Sequence, residues 1–82
     1  MEWSSGLTME VVSPNDRAGE LLTKVRAWLD AGVRLVWVID PDRRQARIHR
    51  TDGSVAIVDG DGVLEGEDVL RGFRCALRKV LA

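Results

Sequence analysis

This sequence has few cysteines, no long apolar run and almost no net charge. It has a single cysteine, Cys75, which excludes an internal disulfide framework and fits a reducing cytoplasm. No apolar run reaches the roughly 20 residues needed to cross a bilayer, and no signal-peptide pattern is present, so we expect no membrane partner. The formal net charge is −1, so any contact with nucleic acid has to come from a local basic patch.

The rest of the composition is that of an ordinary folded domain. Apolar residues make up 45% and charged residues 30% of the 82 positions, which predicts a globular chain rather than a disordered one. The length is near the lower limit for a self-sufficient hydrophobic core. We therefore expect one small domain over residues 1–82.

The first half of the chain has the pattern of a strand followed by a helix. Residues 1–6 show no period and are predicted to be a frayed start, whereas residues 7–12 are predicted to be a strand. Ser13, Pro14 and Asp16 resemble a helix start, as N-cap, first helical residue and capping-box acid. Gly32 is well placed to end the helix in a left-handed conformation. The apolar residues at helical spacing are Ala18, Leu21, Leu22, Val25, Trp28 and Leu29.

The second half of the chain is rich in strand patterns. Residues 35–39 form a continuous apolar run, which is typical of a central strand covered on both faces. Residues 45–50 alternate polar and apolar, and residues 55–58 return as another strand after the Asp52-Gly53 turn. Residues 63–64 are predicted to be a short strand, and residues 70–81 a strand or coil leading into a terminal helix. The order predicts an α/β fold with a sheet of mixed direction and flanking helices.

Several of these segments together resemble a known family. They are "MEVVSPND", Lys24 with Trp28 four residues later, "AGVRLVWVIDP" and "VLRGF", in that order. They are similar to the Uma-type endonucleases of the PD-(D/E)XK restriction-endonuclease-like superfamily. The resemblance covers about residues 7–77 and corresponds to the C-terminal half of the family's domain. It implies a partial restriction-endonuclease-like domain, truncated at its N-terminus.

The resemblance also implies a chemistry and two site residues. Members of the superfamily hold Mg²⁺ or Mn²⁺ with carboxylates at strand ends and hydrolyse phosphodiester bonds in DNA. Hard cations of this kind prefer oxygen ligands and activate a bound water. Glu10 matches the metal-binding and catalytic glutamate of the family motif. Lys24 matches the catalytic lysine, which assists the attacking water from the following helix.

The sequence departs from the family pattern at the second metal-binding carboxylate. The family has a proline-aspartate pair four to five residues before the glutamate, whereas this chain has Ser5-Gly6. Trp28 also stands where the family usually has tyrosine. We therefore expect a weakly active or inactive endonuclease. The alternative is a non-catalytic remnant that folds by forming a homo-oligomer and binds DNA or a protein partner. A start codon placed too far downstream would also account for the missing pair.

Simpler interpretations of the same residues stay open at this point. Glu10 can be an edge-strand acid that faces solvent, and Lys24 can form a surface pair with Glu20 one helical turn earlier. His49 has the pattern of a surface histidine. A basic cluster on the predicted hairpin can contact phosphate or be ordinary solvated charge, because aspartates interleave it. Its members are Arg43, Arg44, Arg47 and Arg50.

Overall fold

A computed structural model describes the backbone of residues 2–4 and 6–81 and the side chains of residues 6–81. The main sheet has five strands in the order β1-β2-β3-β4-β5, with β2 parallel to β3 and the other pairs antiparallel. A separate two-stranded sheet pairs β6 with β7. This arrangement confirms the predicted α/β fold with a mixed sheet. The strands are β1 Glu2–Ser4, β2 Leu7–Val11, β3 Leu35–Asp40, β4 Gln45–Arg50, β5 Val55–Asp59, β6 Val63–Glu65 and β7 Arg74–Ala76; the helices are α1 Ala18–Asp30 and α2 Leu77–Leu81.

The central strand β3 organises the hydrophobic core. All of its residues are buried, as its continuous apolar run predicts. Because successive side chains of a strand point to opposite faces, Trp37 packs on one side of the sheet and Val36 and Val38 pack on the other. The sheet therefore separates two hydrophobic clusters.

Each face of the sheet has its own cover. Helix α1 lies on the Val36 face, where Leu21 and Val25 contribute to the core. The opposite face is covered by residues 63–81, which bring Leu64 and Leu77 against Trp37. The Trp37 and Phe73 rings also stack at a centroid separation of 5.7 Å. The face under α1 carries the candidate site, and the other face holds the larger hydrophobic cluster.

Helix α1 begins later than the sequence predicts. Its first residue is Ala18, and Arg17 is its N-cap, so the predicted start at Ser13 and Pro14 is wrong. Residues 13–16 instead form a closed turn. The Asp16 N–H donates to the Ser13 carbonyl at 3.0 Å, and the Ser13 N–H donates to Asp16 Oδ2 at 2.9 Å. Asp16 thus makes the side-chain bond of a capping box without a helix following it directly.

The end of α1 confirms the role predicted for Gly32. This glycine has φ of 101°, a left-handed conformation that side chains disfavour. Its N–H donates to the Leu29 carbonyl at 3.1 Å, and the Val33 N–H donates to the Trp28 carbonyl at 3.1 Å. This pair of bonds is a Schellman motif, in which the residue after the glycine packs back on the helix. Val33 and Trp28 accordingly belong to the same hydrophobic cluster.

The remaining boundaries follow the predicted order with one exception. The prediction of a frayed start over residues 1–6 is wrong where the structure describes it, because Glu2–Ser4 is a strand paired with β2. Residues 1 and 5 lie outside the described part of the chain. The hairpin of β4 and β5, the short strand β6 and the terminal helix α2 are confirmed. Among the residues described, no helix is long and apolar enough to cross a membrane.

Candidate functional site

Glu10 lies on an internal strand, close to the carboxyl end of β2. Strand β2 pairs with β3 along its whole length, whereas its pairing with β1 is described only at Leu7 and Thr8, so Glu10 has a partner strand on one side in the described chain. Glu10 is opposite Val38 in the parallel ladder and therefore shares the sheet face that α1 covers. Its side chain is half-buried between the sheet and the helix. A carboxylate in this position needs a hydrogen-bond partner.

Trp28 supplies that partner from α1. Its indole Nε1–H donates to Glu10 Oε1 at 2.7 Å, a short bond of the kind that an ionised acceptor makes. The indole ring packs against the hydrophobic cluster under the helix, which fixes the position of its N–H group. Only Oε1 of the carboxylate accepts a hydrogen bond among the described residues, and Oε2 accepts none.

Lys24 lies beside the same carboxylate. A shallow pocket brings the two predicted site residues together on one flank of α1, and its lining residues are Glu10, Lys24, Ala27, Trp28 and Ala31. Lys24 is exposed, and within residues 6–81 it forms no ion pair with Glu20, one helical turn before it. The ammonium group is therefore available to a ligand in the pocket. The alanines at positions 27 and 31 keep the pocket open.

The donor set for a cation in this pocket is small. Among the side chains of residues 6–81, Glu10 is the only carboxylate that lines it, and these residues contain no cluster of three or more histidine, cysteine or acidic side chains able to hold a metal. Mg²⁺ is commonly held by one or two carboxylates together with waters and substrate phosphates. The pocket can therefore offer one protein oxygen to such an ion, with the other ligands coming from water and substrate.

Gly6, which matches the missing aspartate, lies where a side chain would be directed away from this pocket. Gly6 lies in the turn before β2, and its carbonyl accepts the N–H groups of Arg34 and Leu35 at 2.9 Å each. A Cβ atom at position 6 would come within 2.6 Å of Val69 Cγ1, which belongs to a residue packed on the opposite face of the sheet. A carboxylate added at position 6 would thus require Val69 to move, and it would not simply restore a second ligand beside Glu10.

His49 lies on the same face of the sheet as Glu10 but on β4. It is opposite Val36 in the ladder and half-buried, so the surface interpretation is only partly correct. Burial lowers the pKa of His49 from its ordinary value of 6.5, and the nearby Arg47 guanidinium lowers this pKa further. Both effects favour the neutral imidazole over the charged form.

Local sequence patterns do not predict the hydrogen bond between Trp28 and Glu10. The two residues are 18 positions apart and lie on different elements. The sequence did contain one signal, because Lys24 and Trp28 are four residues apart and so share a helix face. That spacing places the two side chains side by side, but it does not show which strand they meet.

Comparison with known proteins supports a nuclease relationship. The model of the Uma2 family, described as "Putative restriction endonuclease", matches residues 6–78. A solved structure from Anabaena variabilis, titled as a putative nuclease belonging to DUF820, is similar with a TM-score of 0.79 and 18% sequence identity. The similarity covers 92% of this chain and 42% of that chain, so this sequence spans less than half of the solved relative. No curated protein matches the chain.

Proposed function

This chain belongs to the Uma2 family of restriction-endonuclease-like proteins, and on that premise we propose that it is a metal-dependent DNA endonuclease domain of low activity. The observation that carries the proposal is the pocket shared by Glu10 and Lys24. Trp28 fixes the carboxylate there through a 2.7 Å hydrogen bond. An oriented carboxylate beside a free ammonium group suits hydrolysis of a phosphodiester, in which negative charge develops on phosphate oxygens.

The roles of the two residues follow from their charges. A bound Mg²⁺ or Mn²⁺ would supply Lewis-acid stabilisation of the phosphate and a more acidic water. Glu10 would supply a carboxylate ligand to the cation, with its side chain held in place by the hydrogen bond from Trp28. Lys24 would donate hydrogen bonds to a phosphate oxygen or to the attacking water, since an ammonium group has three donors and no acceptor. DNA is the substrate that the family description implies.

Low activity follows from the small number of ligands. With one carboxylate in the pocket among the described side chains, the orientation of the cation would depend mostly on water and substrate. Misplacement of a reacting group by about 1 Å costs on the order of a hundredfold in rate. The chain also spans only 42% of the length of the solved relative, so the activity of such a whole protein comes to this chain only as a proposal.

A second candidate function is a non-catalytic domain that binds DNA or a protein partner. The observation in its favour is that no metal-binding cluster of three or more ligands lies within the described residues. Association of copies is part of this candidate, because β5 is at the edge of the main sheet and exposes Ile57, which is 63% accessible. A mass that stays monomeric by light scattering at high micromolar concentration would exclude the oligomer.

The cellular setting is also part of the proposal. Cys75 is a free thiol, and an unpaired cysteine is compatible with the reducing conditions of the cytoplasm.

The test combines metal binding with cleavage. Mn²⁺ is titrated calorimetrically into the parent chain and into Glu10→Gln, Lys24→Ala and Glu20→Gln, and each protein is then assayed for plasmid nicking. Glu20→Gln is the matched control, because Glu20 is an exposed acid on α1 that does not line the pocket.

We expect Glu10→Gln to abolish metal binding and nicking. Lys24→Ala should lower nicking about a hundredfold with little change in metal affinity, and Glu20→Gln should behave as the parent. Nicking that survives both Glu10→Gln and Lys24→Ala would place the site elsewhere. Metal-independent DNA binding without nicking in any protein would favour the non-catalytic candidate.

A further inference from the structure

A second recess lies on the other flank of α1, away from the Glu10 pocket. We call it the arginine cleft. It has a volume of about 180 Å³ and lies between the first turn of α1 and strand β4, where the carboxyl ends of β2 and β3 also meet. Its polar lining residues are Asp16, Arg17, Asp40, Arg43, Arg47 and His49. None of them lines the Glu10 pocket.

The two acids of the arginine cleft already have partners. Asp16 Oδ2 accepts the Ser13 N–H at 2.9 Å, as part of the turn before α1. Asp40 Oδ1 accepts the Arg43 N–H at 3.2 Å, and its Oδ2 is 3.8 Å from Arg43 Nε. The aspartates are therefore engaged mainly in holding the two loops in place. Neither aspartate forms an ion pair with Arg17 or Arg47.

Arg17 and Arg47 are the uncompensated charges. Neither side chain forms an ion pair or a hydrogen bond with any residue of the described chain. Arg47 is half-buried as a residue, and its guanidinium still reaches solvent. Arg50 on the same strand offers a contrast, because its guanidinium makes a bidentate pair with Glu67 at 2.8 to 3.1 Å. An anion from outside the chain could accept hydrogen bonds from the Arg47 guanidinium, as the Glu67 carboxylate does from Arg50.

The amino end of α1 adds donors at the same place. Arg17 is the N-cap in extended conformation, and its side chain makes no capping hydrogen bond. The first intrahelical bond runs from the Leu21 N–H to the Arg17 carbonyl at 3.0 Å. The N–H groups of the three residues before Leu21 therefore have no partner in the helix, and they lie at its positive end. These groups reinforce the arginines, which are the main feature of the cleft.

We propose that the arginine cleft binds a phosphate group, held by Arg17 and Arg47, as a contact separate from the Glu10 pocket. Guanidinium groups recognise phosphate through paired N–H donors. The small volume of the cleft suits a single phosphate with a few waters rather than a whole base. Its source is the backbone of DNA or a free phosphate, and the first of these rests on the proposed nuclease function. Seated on DNA, the cleft would fix the backbone on one flank of α1 while Glu10 acts on the other.

The experiment measures phosphate binding separately from metal chemistry. Inorganic phosphate is titrated into ¹⁵N-labelled protein without divalent cations, and a fluorescent 12-base-pair duplex is titrated by anisotropy. The variants are Arg47→Gln and Arg17→Gln. Arg78→Gln is the matched control, because Arg78 is exposed and lines neither recess, yet it changes the net charge equally. Glu10→Gln is included, and thermal unfolding by circular dichroism confirms that each variant is folded.

The proposal predicts a specific pattern. Phosphate should shift the amide signals of residues 17–20, and Arg47→Gln and Arg17→Gln should each weaken phosphate and duplex binding about tenfold. The slope of duplex affinity against salt should fall by about 1 for each arginine removed. Arg78→Gln should change both affinities less than twofold. Glu10→Gln should leave phosphate binding intact while removing metal binding, so failure of the nuclease proposal stays distinguishable.

Three outcomes decide between the alternatives. Phosphate binding without duplex binding supports the cleft with a free phosphate as its ligand, and arginine-dependent binding of both supports the DNA backbone. Equal affinities for all variants, or no phosphate-dependent shift near residues 17–20 up to 50-fold molar excess, on the order of millimolar concentrations, would overturn the proposal.

Discussion

Replacement of Trp28 by phenylalanine tests the contact on which the candidate site depends. The substitution removes the Nε1–H group that donates to Glu10 Oε1 at 2.7 Å, while an aromatic ring stays in the hydrophobic cluster under α1. A hydrogen bond to a charged group contributes about 1.5–3 kcal/mol to stability. Glu10 is only half-buried and borders an open pocket, so water can replace the lost donor and the loss should fall below this range, at about 1 kcal/mol.

The expected total loss is about 2 kcal/mol. Roughly 1 kcal/mol comes from the hydrogen bond, and a similar amount comes from the smaller apolar area of phenylalanine. For a domain of this size, 1 kcal/mol corresponds to about 4–8 °C in the melting temperature. Trp28→Phe should therefore melt about 8–16 °C below the parent. A shift of this size is easily measured.

A double-mutant cycle separates the hydrogen bond from the ring. Urea unfolding is followed by circular dichroism for the parent, Trp28→Phe, Glu10→Ala and the double variant. The coupling energy between the two positions should be about 1 kcal/mol. Glu10→Gln serves as a control, because its amide oxygen can still accept the indole N–H and most of the stability should remain.

The cycle can also refute the reasoning. Independent sites give additive effects within about 0.3–0.5 kcal/mol. A coupling energy inside that scatter would mean that the indole does not hold Glu10, and the orientation argument for the pocket would fail with it.

Three further predictions concern other parts of the molecule. Thr8 is fully buried with a hydroxyl that has no partner in the described chain, so Thr8→Val should leave stability unchanged or raise it by up to about 1 kcal/mol, measured as a denaturant midpoint. A Cβ at Gly66 would clash with the Leu70 carbonyl oxygen, so Gly66→Ala should cost about 1–3 kcal/mol. Gly19→Ala, in open space on α1, should instead stabilise by about 0.5 kcal/mol. Burial and Arg47 lower the pKa of His49 in the folded chain below 6.5, so the unfolded chain takes up this proton first. The contribution of His49 to the free energy of unfolding should thus be present above pH 6.5 and be lost as the pH falls through 6.5 towards the pKa of the folded chain. The thermal midpoint of the parent should therefore fall with pH more than that of His49→Gln, and an equal fall in both would contradict this.

Much of the fold follows from periodicity in the sequence. The apolar run of β3, the alternation of β4 and the Asp52-Gly53 turn each specify an element through its own residues. The start of α1 does not follow in this way. The bond from the Ser13 N–H to Asp16 Oδ2 occurs in a capping box and also in an isolated turn, so the local pattern cannot separate the two. The extended backbone of Arg17 decides the boundary.

The candidate site was predictable in its members but not in its geometry. The family resemblance identified Glu10 and Lys24, and the fold brings both to one pocket. Their catalytic roles stay predictions. To predict the hydrogen bond from Trp28 to Glu10, one has to know how α1 packs against β2, and residue types alone do not give this. The arginine cleft was hidden for the same reason, because Arg17 and Arg47 are distant in sequence and only the packing of α1 on the sheet brings both to the lining of one cleft.

The parallel pairing of β2 with β3 also has a consequence for the order of folding. Leu7 and Leu35 are partners in this ladder although 28 positions separate them, whereas the ladder from β3 to β5 is closed by short turns. Closing a longer loop costs more chain entropy, so the antiparallel strands are expected to pair first and β2 to dock last. The Glu10 carboxylate is then desolvated only in the final step, when the Trp28 indole N–H is already in position to donate to it. Substitutions at this pair would therefore act on the rate of unfolding and leave the rate of folding almost unchanged.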